Sequence, residues 1–288
     1  MTYLITGATG NVGSKVVAGL IQRGDRPRIF VRDTEKARSR YGDAVDIYQG
    51  DLADTATLIA ALDGVDALFL VNSGHELAAR DAAAAKAAKT AGVRHLVKLS
   101  SLDATHGVGT GVWHAQGEEA IRNSGITFTF VQPTGFMSNA VYWARSIRAE
   151  GVVRSATGAG KIPFIHSRDI ADVVVSALTS SKYEGESLPI TGPEALSYAQ
   201  MTAKIGAAIG RELRFEAISE EQERQQQTSW GAPVPLIDAR LSIFRAIREG
   251  RLAGVTDTVE RVLGRKPFGF NQWVQENAGE FGDAATAM

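Results

Sequence analysis

Cysteine is absent from the 288 residues, so the chain has no disulfide, no thiolate metal ligand and no cysteine nucleophile. An excess of charge of one sign is absent too, because 31 Lys and Arg stand against 32 Asp and Glu. Apolar runs that approach the roughly 20 residues of a membrane-spanning helix are also missing. We therefore expect no nucleic-acid partner and no membrane partner. With no signal peptide evident before the first strand, we expect a cytoplasmic protein.

Glycine is plentiful at 30 residues, and its most informative cluster lies between an apolar segment at 2–6 and an amphipathic helix pattern. In such a strand–turn–helix, Gly7 makes the tight turn, Gly10 lets backbone approach a pyrophosphate, and Gly13 lets the helix pack near the sheet. The positive N-terminus of the helix then holds phosphate. A purely structural turn is the alternative, and the absence of a following Gly-Lys-Ser/Thr disfavours a nucleotide-triphosphatase loop. The predicted dinucleotide loop comprises Gly7, Thr9, Gly10, Asn11, Val12 and Gly13.

Segments of strand character alternate with segments of helix formers along the first half of the chain. The strand-like segments are residues 2–6, 28–31, 45–48, 67–71, 95–99 and 127–131. This alternation predicts an α/β fold, a Rossmann-type doubly wound parallel sheet that binds ligands at the carboxyl ends of its strands. The alternation of strand-like and helix-like segments becomes irregular after about Gly151, although residues 169–178 are again predicted to be helical. We predict a dinucleotide-binding domain over residues 1–152, to which 164–182 return, and a smaller, mostly helical substrate lobe over 183–288.

The residues after the second predicted strand indicate which dinucleotide binds. An acidic residue at this point accepts hydrogen bonds from the ribose of NAD, whereas an Arg accommodates the 2′-phosphate of NADP. Here Arg32 comes first, and Lys36 and Arg38 follow closely, so we predict NADP(H). The alternative is that Arg32 is a solvated charge while Asp33 serves the ribose or caps the helix that starts near Thr34.

Four segments together resemble the NmrA-like atypical short-chain dehydrogenases/reductases. They are Thr6 to Gly13, Val31-Arg32-Asp33, Gly50-Asp51-Leu52, and Gln132 to Asn139. The resemblance covers residues 1–180 firmly and the C-terminal part more loosely, through Thr256-Asp257-Thr258 and Leu263 to Pro267. Within the family, His114 to Glu118 followed by Ala120-Ile121-Arg122 is most similar to the triphenylmethane-dye and quinone reductases. The resemblance implies a Rossmann domain with a small substrate lobe.

The resemblance also implies further cofactor contacts, at the adenine, beyond the fourth strand and on the nicotinamide side. They are Asp51 and Leu52 at the adenine, Val71, Asn72 and Ser73 after the fourth strand, and Pro133, Thr134 and Phe136 at the nicotinamide.

The chain departs from the family's pattern at the proton donor. The best-known short-chain dehydrogenases use a Tyr four residues before a Lys, together with a Ser after the fifth strand. If Glu118 aligns with the acidic residue that follows that Lys, Thr110 takes the Tyr position and His114 the Lys position, while Ser101 keeps the Ser. Reduction of an ordinary ketone is therefore disfavoured. A conjugated acceptor that delocalises the charge left by a hydride is easier to reduce.

His114 and Ser101 are the candidate catalytic residues. His114 is expected to hold the nicotinamide ribose, donate a proton or contact substrate. Since one helical turn separates it from Glu118, a supporting hydrogen bond between the two is the alternative. Ser101 either orients substrate or caps a loop. No metal is expected, because the other histidines show no metal-ligand spacing with carboxylates.

Aromatic residues placed beyond strand ends predict a flat apolar pocket. They are Trp113, Phe136, Tyr142, Trp143 and Trp230. Such walls suit an aromatic or conjugated small molecule. We predict an NADPH-dependent reductase of a quinone, a dye or an imine-like acceptor, active as a monomer or homodimer. The alternative from another class is a regulatory protein that senses NADP(H) without turnover.

Overall fold

The computed structural model describes residues 1–282, which form eleven strands and thirteen α-helices. The strands are β1 (Tyr3–Thr6), β2 (Arg28–Val31), β3 (Asp46–Gln49), β4 (Ala67–Leu70), β5 (His95–Leu99), β6 (Thr127–Pro133), β7 (Val152–Ser155), β8 (Lys161–Ile162), β9 (Ser187–Ile190), β10 (Leu196–Ser197) and β11 (Arg214–Ala217). The helices are α1 (Gly13–Gln22), α2 (Thr34–Tyr41), α3 (Thr55–Leu62), α4 (Leu77–Thr90), α5 (Asp103–His106), α6 (Gly111–Asn123), α7 (Ala144–Glu150), α8 (Ser167–Leu178), α9 (Tyr198–Ile209), α10 (Glu220–Ser229), α11 (Val234–Arg248), α12 (Thr258–Leu263) and α13 (Phe270–Glu276).

The chain divides into two compact units. The first comprises residues 1–133 and 167–189, and the second comprises 134–166 and the chain from Ile190 onward. These boundaries differ from the expected 152 and 183. They differ because β6 carries the first unit only as far as Pro133, and because β9 joins the main sheet. Residues 283–288 of the expected lobe lie outside the described residues.

The first unit is built on a seven-stranded sheet in the order β3-β2-β1-β4-β5-β6-β9. The strands from β1 to β6 pair in parallel, which confirms the expected Rossmann-type sheet. The order reverses between β1 and β4, the point at which α/β sheets bind their ligands. Sequence reasoning missed β9, a four-residue strand interrupted by Pro189, because proline inside an apolar run argues against a strand.

Helices cover this sheet on both faces. Leu4 and Leu68 are fully buried in a cluster with apolar side chains of α3, α4 and α6. Because side chains alternate along a strand, their neighbours Ile5 and Phe69 point to the opposite face, and they are fully buried as well. On that face α8 packs against α1 and against β4, β5 and β6. The helix predicted at 169–178 thus belongs to the dinucleotide-binding unit.

The second unit is mostly helical, with two small two-stranded sheets. In one sheet β7 pairs in parallel with β11, and in the other β8 pairs antiparallel with β10. A capping box starts α9, since Ser197 Oγ accepts from the Gln200 N–H at 3.2 Å and the Gln200 side chain accepts from the Ser197 N–H at 2.9 Å. Sequence reasoning missed both sheets, because strands of two to four residues are too short to carry a clear periodic signal. Within residues 1–282 no helix is long and apolar enough to cross a membrane.

Candidate functional site

The glycine-rich turn lies where the sheet order reverses, directly after β1. Gly7 adopts φ +63°, and its carbonyl accepts the Gly10 N–H at 2.9 Å. A Cβ on Gly13 would lie 2.2 Å from the Gly7 carbonyl oxygen, so α1 can start here only with glycine. A Cβ on Gly10 would meet one atom, that same oxygen, at 3.2 Å. Gly13 is therefore demanded by the fold, whereas exposed Gly10 leaves room for a ligand.

Two polar contacts around the turn escaped sequence reasoning. The Tyr41 hydroxyl, at the end of α2, donates to the Ala8 carbonyl at 2.5 Å. Lys15 Nζ donates to the Asn11 carbonyl at 3.0 Å. Burial lowers the pKa of Lys15, and the positive charges of Arg40 and Arg168 lower it further. These cations come from three different helices and repel one another, a repulsion that a bound pyrophosphate or 2′-phosphate would relieve.

The residues that follow β2 fit two interpretations of the sequence together: Asp33 caps the next helix, and Arg32 remains available for an anion. Asp33 caps α2, since its Oδ1 accepts the Lys36 N–H at 2.9 Å. Arg32 is exposed, and within residues 1–282 its guanidinium forms neither a hydrogen bond nor an ion pair. The capping role therefore falls to Asp33, and the Arg32 guanidinium is left available for an anion.

The segment after β4 lies beside the glycine turn. Thr6 Oγ1 accepts the Val71 N–H at 2.7 Å and donates to the Phe69 carbonyl at 3.1 Å, which ties β1 to β4. A Cβ on Gly7 would lie 3.0 Å from the Val71 Cβ. The Asn72 amide carbonyl accepts the Ser73 N–H at 2.9 Å. Val71, Asn72 and Ser73 thus stand at the sheet edge where the cofactor is expected.

Asp51 and Leu52, the residues expected to contact the adenine, follow β3 and make different contacts. Asp51 is half-buried, and its Oδ1 accepts the Ala53 N–H at 2.9 Å. Leu52 is half-buried and packs against the apolar cluster of the first unit. The Phe30 ring packs closely against the backbone just before Asp51, because a Cβ on Gly50 would lie 2.4 Å from that ring.

A buried polar network lies under the carboxyl ends of β4 and β5. Lys98 Nζ donates to the Asp81 carboxylate, and both side chains are fully buried. Asn72 Nδ2 donates to the other oxygen of Asp81 at 3.3 Å. A Cβ on Gly117 would lie 2.3 Å from Asp81 Oδ2, so only glycine lets α6 approach α4 here. Burial raises the pKa of Asp81, although Lys98 and Asn72 oppose the rise.

Glu118 is the centre of a second network, and the alternative hydrogen bond to His114 is not formed. The Glu118 carboxylate accepts from Ser100 Oγ at 2.5 Å and from Gln132 Nε2 at 2.8 Å. The reason is that Glu118 turns toward β5 and β6 rather than back along its helix. His114 is left half-buried, and its Nδ1 has no hydrogen-bond partner in the described part of the chain, residues 1–282.

The electrostatics of His114 differ from the sequence expectation. Burial lowers the pKa of His114 to about 3, and the positive charge of Lys98 adds to the shift. Of the three roles expected for His114, this pKa disfavours proton donation by an imidazolium near neutrality, because the ring is then neutral. Ser101 is half-buried, and its Oγ accepts the Asp103 N–H at 3.2 Å, the contact of a loop cap.

The aromatic candidates differ in exposure. Trp113 of the first unit is half-buried. In the second unit, Phe136 forms a bridge with Ile165, and the Trp143 ring lies 4.8 Å from that of Tyr198. The remaining two, Tyr142 and Trp230, are 71% and 54% exposed.

Two further cofactor candidates lie on either side of the unit boundary. Pro133 ends β6, and Thr134 donates its N–H to the Ile190 carbonyl at 3.0 Å. Within residues 1–282 no three His or carboxylate side chains are grouped to hold a metal.

Comparison with known proteins finds relatives that match nearly the whole chain. The chain is 40% identical over 285 residues to the NAD(P)H azoreductase of Xenophilus azovorans, covering 98% of this chain and 99% of that one. It is 39% identical over 283 residues to the (4-alkanoyl-5-oxo-2,5-dihydrofuran-3-yl)methyl phosphate reductase of Streptomyces griseus, covering 96% and 98%.

Solved structures agree with the sequence relatives. The NADPH-dependent quinone oxidoreductase of Escherichia coli, solved with NADPH, superposes with a TM-score of 0.88 at 26% identity, over 96% of this chain and 99% of that one. The expected resemblance to the quinone and dye reductases among the atypical short-chain dehydrogenases/reductases is confirmed. Residues 7–181, more than half of the chain, match the family described as NAD(P)H-binding. The chain belongs to the NAD(P)H-binding family.

Proposed function

We propose that the protein is an NADPH-dependent reductase that delivers hydride to a conjugated organic acceptor such as a quinone, an azo dye or an unsaturated lactone. The observation that carries the proposal is the match along nearly the whole chain to two relatives, one named as an azoreductase and one as a reductase of an oxo-dihydrofuran. Both names describe an unsaturated bond in conjugation, which spreads the charge that a hydride brings.

The first unit supplies the residues that suit the dinucleotide. Exposed Gly10 gives a pyrophosphate access to backbone, and Lys15, Arg40 and Arg168 gather positive charge beside the turn. We assign the 2′-phosphate of NADPH to Arg32, whose guanidinium is exposed and forms no hydrogen bond or ion pair among the described residues. A charged hydrogen bond there favours NADPH over NADH.

The chemistry at the edge of β5 suits an acceptor that does not need the Tyr-Lys acid. In the alignment that matches Glu118 to the family's acidic residue, Thr110 takes the Tyr position and His114 the Lys position, and the pKa of His114 keeps its imidazole neutral. When bound, NADPH supplies the hydride. His114 then acts as a neutral hydrogen-bonding group that positions a ligand, and Ser101 orients the acceptor beside it. Half-buried Trp113 is the aromatic of this unit that we propose to contact the acceptor.

The remaining site and location assignments stay predictions of the sequence. They are the contacts of Thr134 and Phe136 with the nicotinamide, the contacts of Tyr142, Trp143 and Trp230 with substrate, a cytoplasmic location, and a monomeric or homodimeric state.

The proposal is tested with purified protein, NADPH and a panel of quinones, azo dyes, triphenylmethane dyes, unsaturated lactones and simple ketones. We expect loss of NADPH absorbance with at least one conjugated class and little or none with simple ketones. Tight binding of NADPH without oxidation by any member of the panel would favour the sensing protein. Preference for simple ketones would contradict the proposed chemistry.

A further inference from the structure

We propose that Asp103, which the family pattern does not single out, is the proton donor that completes the reduction. The inference rests on the proposed reductase function and adds the residue that protonates the acceptor after the hydride arrives. It starts from the position of Asp103 just beyond the sheet, at the start of α5, and from the absence of hydrogen bonds to its carboxyl among the described residues.

Asp103 stands directly beyond the carboxyl end of β5, where α/β enzymes place their reacting groups. The chain between continues the sheet, because the Ser100 N–H donates to the Val131 carbonyl at 2.8 Å and the Leu102 N–H donates to the Pro133 carbonyl at 2.9 Å. The Asp103 backbone is held in turn by Ser101 Oγ, the predicted substrate-orienting hydroxyl. The carboxyl and this hydroxyl therefore belong to one fixed turn.

Close packing with α6 fixes the turn from the other side. A Cβ on Gly111, the first residue of α6, would lie 2.2 Å from the carbonyl carbon of Asp103. Only glycine permits this approach, so the backbone that carries the carboxyl has little freedom. The rigid placement suits a proton donor, which must stay within hydrogen-bond reach of the acceptor.

The carboxyl of Asp103 differs from the other acids of this edge in having no partner within residues 1–282. Asp81 is paired with Lys98 and Asn72, and Glu118 accepts from three donors, one of them Arg122. Among residues 1–282, the half-buried Asp103 side chain forms no hydrogen bond and no ion pair. The side chain therefore carries a desolvation penalty that no hydrogen bond or ion pair among these residues offsets, which is the pattern of a functional group.

Burial alone raises the pKa of Asp103 to about 6. The charged and titratable groups on the elements beside it are His95 and Lys98 on β5, His106 on α5, and His114, Glu118, Glu119 and Arg122 on α6. None of them contributes to the shift. With this pKa roughly a tenth of the carboxyl is protonated at pH 7, far more than for an ordinary Asp, whereas the His114 ring carries no acidic proton of comparable strength.

The proton balance follows from the class of acceptor. A hydride from NADPH adds two electrons and one hydrogen to the conjugated bond, forming a bond to one of its atoms and leaving NADP⁺ and an acceptor anion. The Asp103 O–H bond then breaks, and its proton forms a bond to the negatively charged nitrogen, oxygen or carbon. The product is neutral, Asp103 is left as a carboxylate, and water returns the proton.

The test compares Asp103→Asn and Asp103→Glu with Glu119→Gln, a matched loss of one carboxylate at an exposed position of α6. Single-turnover rates with an azo dye are followed against pH, so that product release does not hide the chemistry. In wild type and in Glu119→Gln we expect a plateau below pH about 6 and a fall of about tenfold per pH unit above it. Asp103→Asn is expected to lose this pH dependence and to react roughly 10²–10⁴ times more slowly at the plateau. Asp103→Glu should restore part of the rate.

Two readouts separate the donor role from the reductase function. NADPH affinity should stay within about twofold in all variants, and carbon NMR of the labelled carboxyl in wild type should report a pKa of about 6 for Asp103. Turnover by Asp103→Asn with the wild-type rate and pH profile would overturn the donor role alone. Absence of turnover by wild type with every acceptor would overturn the reductase function and the donor role with it.

Discussion

Lys98 Nζ and the carboxylate of Asp81 form an ion pair with both side chains fully buried, beneath the edge of the sheet that holds the predicted reaction residues. Lys98 adds to the lowering of the pKa of His114, and Asp81 fills the space that Gly117 leaves open. The pair therefore links the packing of α4 and α6 to the protonation state of a candidate catalytic side chain.

The first prediction concerns this pair. Lys98→Met leaves the Asp81 charge buried without a cation, and removing one partner of a buried pair destabilises a protein by about 3–5 kcal/mol. Urea denaturation of the variant measures the loss. The double variant Lys98→Met/Asp81→Leu should recover most of the stability, because it buries no charge. A Lys98→Met variant as stable as wild type would show that the pair does not hold the core together.

The second prediction concerns cofactor choice. Arg32→Ala should weaken NADPH by roughly 10- to 150-fold and leave NADH nearly unchanged, since hydrogen bonds to charged groups contribute about 1.5–3 kcal/mol. Arg40→Ala is the matched control, because Arg40 lies near Lys15 at the turn and should affect both cofactors alike. Calorimetric titration of each variant with NADPH and with NADH measures the two affinities. Equal losses for the two cofactors in Arg32→Ala would refute the assignment.

The third prediction separates the glycines of the turn. Gly10→Val should abolish cofactor binding while the fold survives, because the side chain fills the space for a pyrophosphate, while its Cβ meets one atom of the described residues, the Gly7 carbonyl oxygen at 3.2 Å. Gly13→Ala should lower the stability of the fold itself by about 1–3 kcal/mol, because its Cβ collides with the Gly7 carbonyl. Thermal unfolding and NADPH titration of both variants test this. Retained affinity in folded Gly10→Val would mean that the turn is only structural.

The fourth prediction concerns His114, whose pKa in the folded protein is about 3, below its ordinary value. The unfolded chain then binds more protons at this site than the folded one between pH about 3 and 6.5, so stability falls as the pH is lowered through that window. His114→Asn should show a shallower loss of stability on acidification. Denaturant midpoints across that range measure the slope, and identical slopes would contradict the neutral buried ring.

His114→Ala also tests the chemistry. Because the ring is neutral and acts only in positioning, quinone or dye reduction should slow by less than about tenfold, well below the roughly 10²–10⁴ typical of a lost acid. Thr110→Val should hardly change the rate. Steady-state kinetics with both variants checks this. Abolished turnover in His114→Ala with NADPH affinity intact would make His114 an essential proton donor.

The sequence predicted the six parallel strands and the glycine turn because most of these strands are apolar runs bounded by helix formers, a local signal. It also offered, as an alternative, a hydrogen bond between His114 and Glu118 from their helical spacing, and that bond is absent. The Glu118 carboxylate bonds instead to Ser100 and Gln132, which only the pairing of β5 and β6 brings near.

Contacts between distant segments account for the rest of what sequence reasoning missed. Lys98 and Asp81 come from a strand and a helix, and Lys15, Arg40 and Arg168 come from three helices. Asp103 gave no signal as a residue type, because the rise in its pKa comes from burial and not from a neighbour in the chain.

Direct hydride transfer is the central claim, and isotope transfer tests it most directly. NADPH deuterated at C4 of the nicotinamide, in each of its two stereoisomers, is given to the protein with an unsaturated lactone, and the product is analysed by mass spectrometry. We predict one deuterium on carbon in the reduced product from one stereoisomer and none from the other. Reduced product without deuterium from either stereoisomer, or no reduction of any conjugated acceptor, would contradict the account.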